Sequence, residues 1–207
     1  MQEDAALVLV DIQNDFLPTG ALPVPSGDEV IDVANRLLAK FPIKVATQDW
    51  HPADHGSFAS RHPGREPGEV IQLAGTDQIL WPVHCVQHTR GSEFAPGLRT
   101  DQIDHIVTKG TNPLVDSYSG FFDNGQRQST GLADWLRSHH VNDIYVVGLA
   151  TDYCVKFTAL DGVKQGFQTW LIEDGCRGVN LTDGDVAKAM EEMCAAGVSI
   201  IQSADIM

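Results

Sequence analysis

Three side chains far apart in the chain make a chemically coherent set: the carboxyl of Asp11, the amine of Lys109 and the thiol of Cys154. Asp11 follows the apolar run Val-Leu-Val, Lys109 follows Ile-Val-Thr, and Cys154 closes Gly-Leu-Ala-Thr-Asp-Tyr-Cys. A carboxylate can take a thiol proton and later pass it to a departing amine, while an ammonium holds both negative charges in place. The Cys154 segment reads as a strand ending at Leu149, a tight turn, and a helix beginning around Tyr153 and Cys154. At a helix N-terminus the dipole and free backbone N–H groups lower a thiol pKa and can cradle an oxyanion. Taken singly, Asp11 is a turn cap, Lys109 a solvated strand end and Cys154 a buried structural thiol. Their shared position, each just past a buried strand, favours chemistry. Asp15 is equally a turn former or a support for the site, and Cys85, Cys176 and Cys194 are read as buried structural thiols.

A second set has the character of metal ligands. Asp49, His51 and His55 fall in Asp-Trp-His-Pro-Ala-Asp-His, and His84 follows in Trp-Pro-Val-His-Cys. Mixed imidazole and carboxylate ligands suit zinc, iron or manganese. Asp49 and His51 alternate along an extended segment, so both project to one side. The plainer reading is a polar loop with His51 serving a turn before Pro52. Ligand types recurring within one loop region favour the metal. His62, His88, His105, His139 and His140 read as surface or packing residues.

Elements must bring these groups together. Short runs rich in Val, Ile and Leu at 6–10, 43–47, 105–108, 144–149, 169–173 and 198–202 predict strands buried on both faces. Between them, Val30, Val33, Ala34, Leu37 and Leu38 follow a helical rhythm, and further helices are expected over 132–137, 154–164 and 185–196. Gly166 is expected to close the third helix, and Thr182 or Asp183 to open the fourth. Strands alternating with helices imply an α/β fold: a three-layer α/β/α domain with a mostly parallel central sheet of about six strands. In such sheets ligands bind beyond the carboxyl ends of the strands. Residues 49–99, crowded with Gly, Pro and His, and 112–128 read as site-building loops. No repeat or linker divides residues 1–207, so one domain is expected.

The chain has 207 residues and a formal net charge of −14, from 14 basic and 28 acidic side chains. Such a field repels phosphate backbones and anionic membranes, which argues against nucleic-acid and membrane partners. No CxxC pair, signal-like segment or long apolar run is present, so a reducing cytoplasmic compartment is expected.

In order along the chain, Asp-Ile-Gln-Asn-Asp-Phe (11–16), Asp-Trp-His-Pro (49–52), Trp-Pro-Val-His-Cys (81–85), Lys-Gly (109–110), Asp-Ser-Tyr-Ser (116–119), Gly-Leu-Ala-Thr-Asp-Tyr-Cys (148–154) and Asp-Gly-Cys-Arg-Gly-Val-Asn (174–180) resemble the nicotinamidases. These are isochorismatase-like cysteine hydrolases, and the bacterial nicotinamidase/pyrazinamidase pattern is especially similar. The resemblance implies a triad of Asp11, Lys109 and Cys154, and one divalent metal ion held by Asp49, His51 and His84, with His55 an additional ligand. It implies that Phe16 and Trp81 sandwich the substrate ring, that Tyr118 helps wall the pocket, and that Leu149 and Ala150 border it. A cis peptide between Leu149 and Ala150 would set the Ala150 and Cys154 N–H groups side by side as an oxyanion hole. The implied reaction is deamidation of nicotinamide to nicotinate and ammonia through a Cys thioester, in NAD salvage, with pyrazinamide also cleaved. Small-molecule substrates and a monomer or small homo-oligomer complete the expectation. The rivals are a sister enzyme acting on N-carbamoyl or ureido substrates, a non-catalytic binder and a thiol redox sensor.

Overall fold

In the computed structural model, which describes residues 3–206, the first apolar run forms β1 (Ala5–Val10), buried at every position. A side-chain period of two sends Ala5, Leu7 and Leu9 to one core and Ala6, Val8 and Val10 to another. A strand buried on both faces must lie between two helical layers.

Five further strands join it: β2 (Ile43–Asp49), β5 (His105–Lys109), β6 (Asp143–Leu149), β7 (Gln168–Arg177) and β8 (Ser199–Ile201). The order across the sheet is β5-β2-β1-β6-β7-β8, and every neighbouring pair is parallel. α1 (Val30–Leu38) buries Val30, Val33, Ala34, Leu37 and Leu38 on one face of this sheet. α2 (Leu132–Ser138), α3 (Lys156–Lys164) and α4 (Asp185–Ala195) contribute Leu132, Leu136, Ala159 and Met193 to the core on the other. The architecture is the expected three-layer α/β/α arrangement. Among the described residues no helix is long and apolar enough to cross a membrane.

Two local features differ from expectation. α4 begins after Gly184, whose φ is +93°, and not at Thr182 or Asp183. The Asp185 carboxylate accepts the Thr182 N–H at 2.9 Å, so the helix's first residue organises the turn before it. Within 49–99, an antiparallel hairpin forms from β3 (Val70–Leu73) and β4 (Thr76–Ile79). Its two-residue turn, Ala74 (φ +49°) and Gly75 (φ +83°), has positive φ at both positions, a backbone usually signalled by Asn-Gly.

Because β5, β2, β1 and β6 lie side by side and parallel, their carboxyl ends share one edge of the sheet. That edge receives Lys109, Asp49, Asp11 and the turn that carries Cys154.

Candidate active site

Lys109 stands at the centre of this edge, with its side chain fully buried. Its Nζ lies 2.8 Å from Asp11 Oδ2 and 3.0 Å from Asp49 Oδ1, and donates to Ser117 O at 2.9 Å and Cys154 Sγ at 3.4 Å. One ammonium thus gathers the three residues of the first sequence set and one of the second. Asp11 leaves β1 in a left-handed conformation (φ +46°), which Asp tolerates better than most residues. Its Oδ1 accepts the Thr47 hydroxyl at 2.6 Å. Its Oδ2, apart from the ion contact with Lys109, accepts no aligned hydrogen bond among the described residues. That oxygen has an empty lone pair direction for a proton.

The charges follow from burial and partners. Burial pushes the Asp11 carboxyl above its usual range; Lys109 offsets this in part, and the neighbouring Asp49 charge adds to it. Burial opposes the charge on Lys109 as well, but Asp11 and Asp49 outweigh it and hold the amine well above its usual value. For Cys154, burial raises the thiol pKa, Lys109 opposes the rise, and the Asp11 and Asp49 charges reinforce it; the result lies well above an ordinary thiol. The expectation of a lowered pKa is therefore corrected. Cys154 lies in the turn Thr151–Val155 that precedes α3, where desolvation and the Asp11 and Asp49 charges raise its pKa.

Asp49 turns its other oxygen, Oδ2, toward His51 Nε2 at 2.9 Å and His84 Nε2 at 3.4 Å. Burial disfavours the Asp49 charge, yet His51 and Lys109 overcome this and keep the carboxyl well below its usual range. His51 Nδ1 pairs with Gly110 O at 2.9 Å and His84 Nδ1 with Pro82 O at 2.8 Å. If each Nδ1 donates to its carbonyl, Nε2 is left as the free ligand atom. Gly110 makes this approach possible, since its φ is +65° and a Cβ there would run into the His51 ring. Burial lowers the His51 pKa, but Asp49 and Asp116 reverse this and bring it up to about 9, so the field calls for positive charge at that point. Asp49, His51 and His84 present ligand atoms within 4.8 Å of one another, as do His51, His55 and Asp116. Burial and the nearby His51 hold His55 down at about 4, and its buried Nε2 has no hydrogen-bond partner among the described residues. Donor types, tautomer-fixing carbonyls and an orphaned nitrogen all fit one divalent cation.

The adjoining pocket is lined by Phe16, Trp81, Tyr118, Ala150 and Cys154, with His84 and Asp49 at its polar side. Phe16 packs on His84 with ring centroids 5.6 Å apart, and Trp81 sets its edge against Tyr153 at 4.9 Å. The peptide between Leu149 and Ala150 is cis. The Leu149 side chain is not part of the lining: it lies fully buried in the core beneath. Four further lining residues, Leu22, Asp116, Tyr153 and Val179, were not singled out by the sequence. Asp116, Tyr153 and Val179 sit within quoted motifs, which was the available signal; Leu22 carries none. Val179 is held by Asp152, whose carboxylate accepts the Val179 and Asn180 N–H groups at 3.0 and 2.8 Å. Asp15 acts as a support: it accepts the Cys85 N–H at 2.7 Å, next to His84. Cys85 and Cys176 are buried as expected, whereas Cys194 is exposed and not a core thiol.

Residues 5–205 match the isochorismatase domain. The chain is 54% identical to a nicotinamidase of Escherichia coli over 97% of its own length and 95% of that protein. Its structure is similar to that of a nicotinamidase/pyrazinamidase of Acinetobacter baumannii, with a TM-score of 0.97, 45% identity and full coverage of both chains. It is also similar to a pyrazinamidase of Pyrococcus horikoshii in complex with zinc, with a TM-score of 0.78, 40% identity, 96% of this chain and 99% of that one.

Proposed function

The chain belongs to the isochorismatase family, and from that premise we propose that Cys154 is its nucleophile, Asp11 its proton carrier and Lys109 the ammonium that keeps both in place. The reaction is deamidation of nicotinamide to nicotinate and ammonia, as in the relatives of high identity; pyrazinamide, with a similarly placed ring nitrogen, is cleaved too. The observation that carries the assignment is the Lys109 ammonium, 2.8 Å from Asp11 Oδ2 and 3.4 Å from Cys154 Sγ in a fully buried site.

Cys154 Sγ attacks the carboxamide carbon as its proton passes to Asp11 Oδ2, the oxygen with no aligned donor. The Ala150 and Cys154 N–H groups receive the oxyanion, a contribution of about 3–4 kcal/mol in comparable sites. Asp11 then gives its proton to the amide nitrogen, ammonia leaves, and a thioester remains. Asp11 next takes a proton from water as the hydroxide adds to the thioester carbonyl. Collapse expels the Cys154 thiolate, which recovers the proton from Asp11, and the pyridine carboxylic acid departs. Lys109 stays protonated throughout and offsets the negative charge shared by sulfur and carboxylate.

Asp49, His51 and His84 are the proposed ligands of one divalent ion, with His55 an additional one; zinc, iron and manganese all suit this donor set. When bound, such an ion would supply a Lewis-acidic point toward which the ring nitrogen could be oriented. Phe16, Trp81 and Tyr118 hold the ring, and fixing it at attack distance is worth several kcal/mol. That ring-directed cluster favours a pyridine carboxamide over an N-carbamoyl substrate. We place the enzyme in the cytoplasm as a monomer or small homo-oligomer serving NAD salvage.

Ammonia release from nicotinamide by wild type, Cys154→Ala and Asp11→Asn tests the assignment. Both substitutions are expected to abolish turnover while leaving nicotinate binding measurable. Full activity in Cys154→Ala would overturn it.

A further inference from the structure

The β3–β4 hairpin brings one buried side chain to the site, that of Gln78; every other residue of its two strands is at least half-exposed or partly open to solvent. Gln78 Nε2 lies 2.7 Å from Ile79 O, 3.0 Å from Asp116 Oδ2 and 3.1 Å from Tyr118 Oη, three acceptors for two protons, so at least one N–H is shared between neighbours. Asn124 Nδ2 faces its Oε1 at 3.5 Å. The carbonyl and the carboxylate fix which end of the amide is nitrogen, because the reverse orientation would set oxygen against oxygen. Tyr118 Oη also accepts the Trp81 indole N–H at 3.0 Å, a group that can only donate. Tyr118 otherwise meets Tyr153 and Phe157 through ring contacts at 5.6 and 5.5 Å, which constrain its direction less than hydrogen bonds do.

The hairpin is itself seated firmly. Arg127 Nη2 donates to Ala74 O at 2.8 Å at its tip. Gly56, beside His55, leaves room for it: a Cβ there would lie 2.8 Å from a Leu73 methyl.

We propose that Gln78 is a positioning residue for the substrate pocket: its amide holds the Tyr118 phenol, and with it the Trp81 indole, in the orientation that clasps the substrate ring. The inference rests on the pocket reading above, in which Tyr118 and Trp81 wall the nicotinamide site. Gln78 contacts no reacting atom, so its loss weakens substrate binding more than it slows chemistry.

A double-mutant cycle on nicotinamide hydrolysis tests this, using Gln78→Met, Tyr118→Phe and the pair, with zinc content measured for each. Gln78→Met is expected to raise KM roughly three- to tenfold, the worth of one neutral hydrogen bond, with kcat within about twofold and zinc retained. In the Tyr118→Phe background, which lacks the shared oxygen, Gln78→Met raises KM less than it does alone, because only the Asp116 and Ile79 contacts remain to be lost. Should Gln78→Met fail to fold, Gln78→Leu removes the same donor without placing a charge beside Asp116 and completes the cycle. An undiminished effect in the Tyr118→Phe background, or loss of zinc from the Gln78 variant, overturns the proposal. If Tyr118→Phe raises KM and Gln78→Met does not, the role of Gln78 alone falls. If Tyr118→Phe and Trp81→Ala both leave KM unchanged, the pocket reading falls with it.

Discussion

Asp49 and Lys109 are register partners at the ends of neighbouring parallel strands, and their side chains meet at 3.0 Å. Asp49 therefore divides its oxygens: Oδ1 goes to the ammonium beside Asp11 and Cys154, and Oδ2 to His51 and His84. The proposed proton-transfer group and the proposed metal ligands are thus joined through one carboxylate. A change on either side reaches the other through a buried charge, where screening by solvent is weak.

Replacing Lys109 by Met exposes this coupling. The substitution leaves the Asp11 and Asp49 carboxylates buried without their shared cation, which costs about 3–5 kcal/mol when one partner of a buried ion pair is removed. Urea denaturation should register that loss, and kcat/KM should fall by about a thousandfold or more. Unchanged stability would mean that the ammonium does not neutralise these groups.

The pH profile follows from Asp11. As the base, it works when ionised, so kcat/KM should decline as pH falls through its pKa. Burial raises that pKa, so the acidic limb lies above the ordinary carboxylate value of 3.8. The Thr47 hydroxyl bond, at 2.6 Å, opposes the rise. Thr47→Val should therefore move the limb to still higher pH, by about one unit. The Cys154 thiol lies well above its usual range, so no loss of activity is expected near pH 9 on its account. A limb unmoved by Thr47→Val would remove Asp11 from the role.

Metal removal should reduce both activity and stability. With ligand at about a hundred times its Kd, binding adds about 2.7 kcal/mol to the folded state, and chelation withdraws it. His51→Ala and His84→Ala are expected to bind no zinc in a dye-competition titration. His55→Ala should retain it with about ten- to a hundredfold weaker affinity, since His55 stands at the edge of the cluster with one orphaned nitrogen. A chelated protein at full activity would remove the ion from the reaction.

The strands, and the meeting of Asp11, Lys109 and Cys154 at one sheet edge, were legible in the sequence because each rests on a local pattern. β1, β2, β5 and β6 are apolar runs, and a functional group directly after a run is carried to the sheet edge. What could not be read depends on residues distant in sequence. The high Cys154 pKa arises from what surrounds the thiol, which neither the strand-to-turn motif nor the helix terminus records. Val179 reaches the pocket through a loop fixed by Asp152, a contact made across the fold, whereas Leu22 is brought there by a local turn that Asp15 holds. The hairpin was hidden by its Ala74-Gly75 turn and by strands that bury only Gln78. Burial is the default expectation for a cysteine, but in α4 it is Ala189 and Met193 that are buried while Cys194 is exposed.

The four thiols give a last test, because they differ sharply in access. Cys194 is exposed, Cys85 and Cys176 are buried in the core, and Cys154 is buried but lines the pocket beside Phe16 and Trp81. A small alkylating reagent should modify Cys194 first without loss of activity, and Cys194→Ser should abolish that phase. A slower phase, tracking inactivation, should then map to Cys154. Nicotinate at about ten times its Kd should slow that phase about tenfold, since the occupied pocket shields the thiol by mass action. High pKa slows both reagent and substrate unless Asp11 takes the proton, so Asp11→Asn should also slow inactivation. Rapid inactivation that nicotinate does not retard would place the essential thiol outside the pocket.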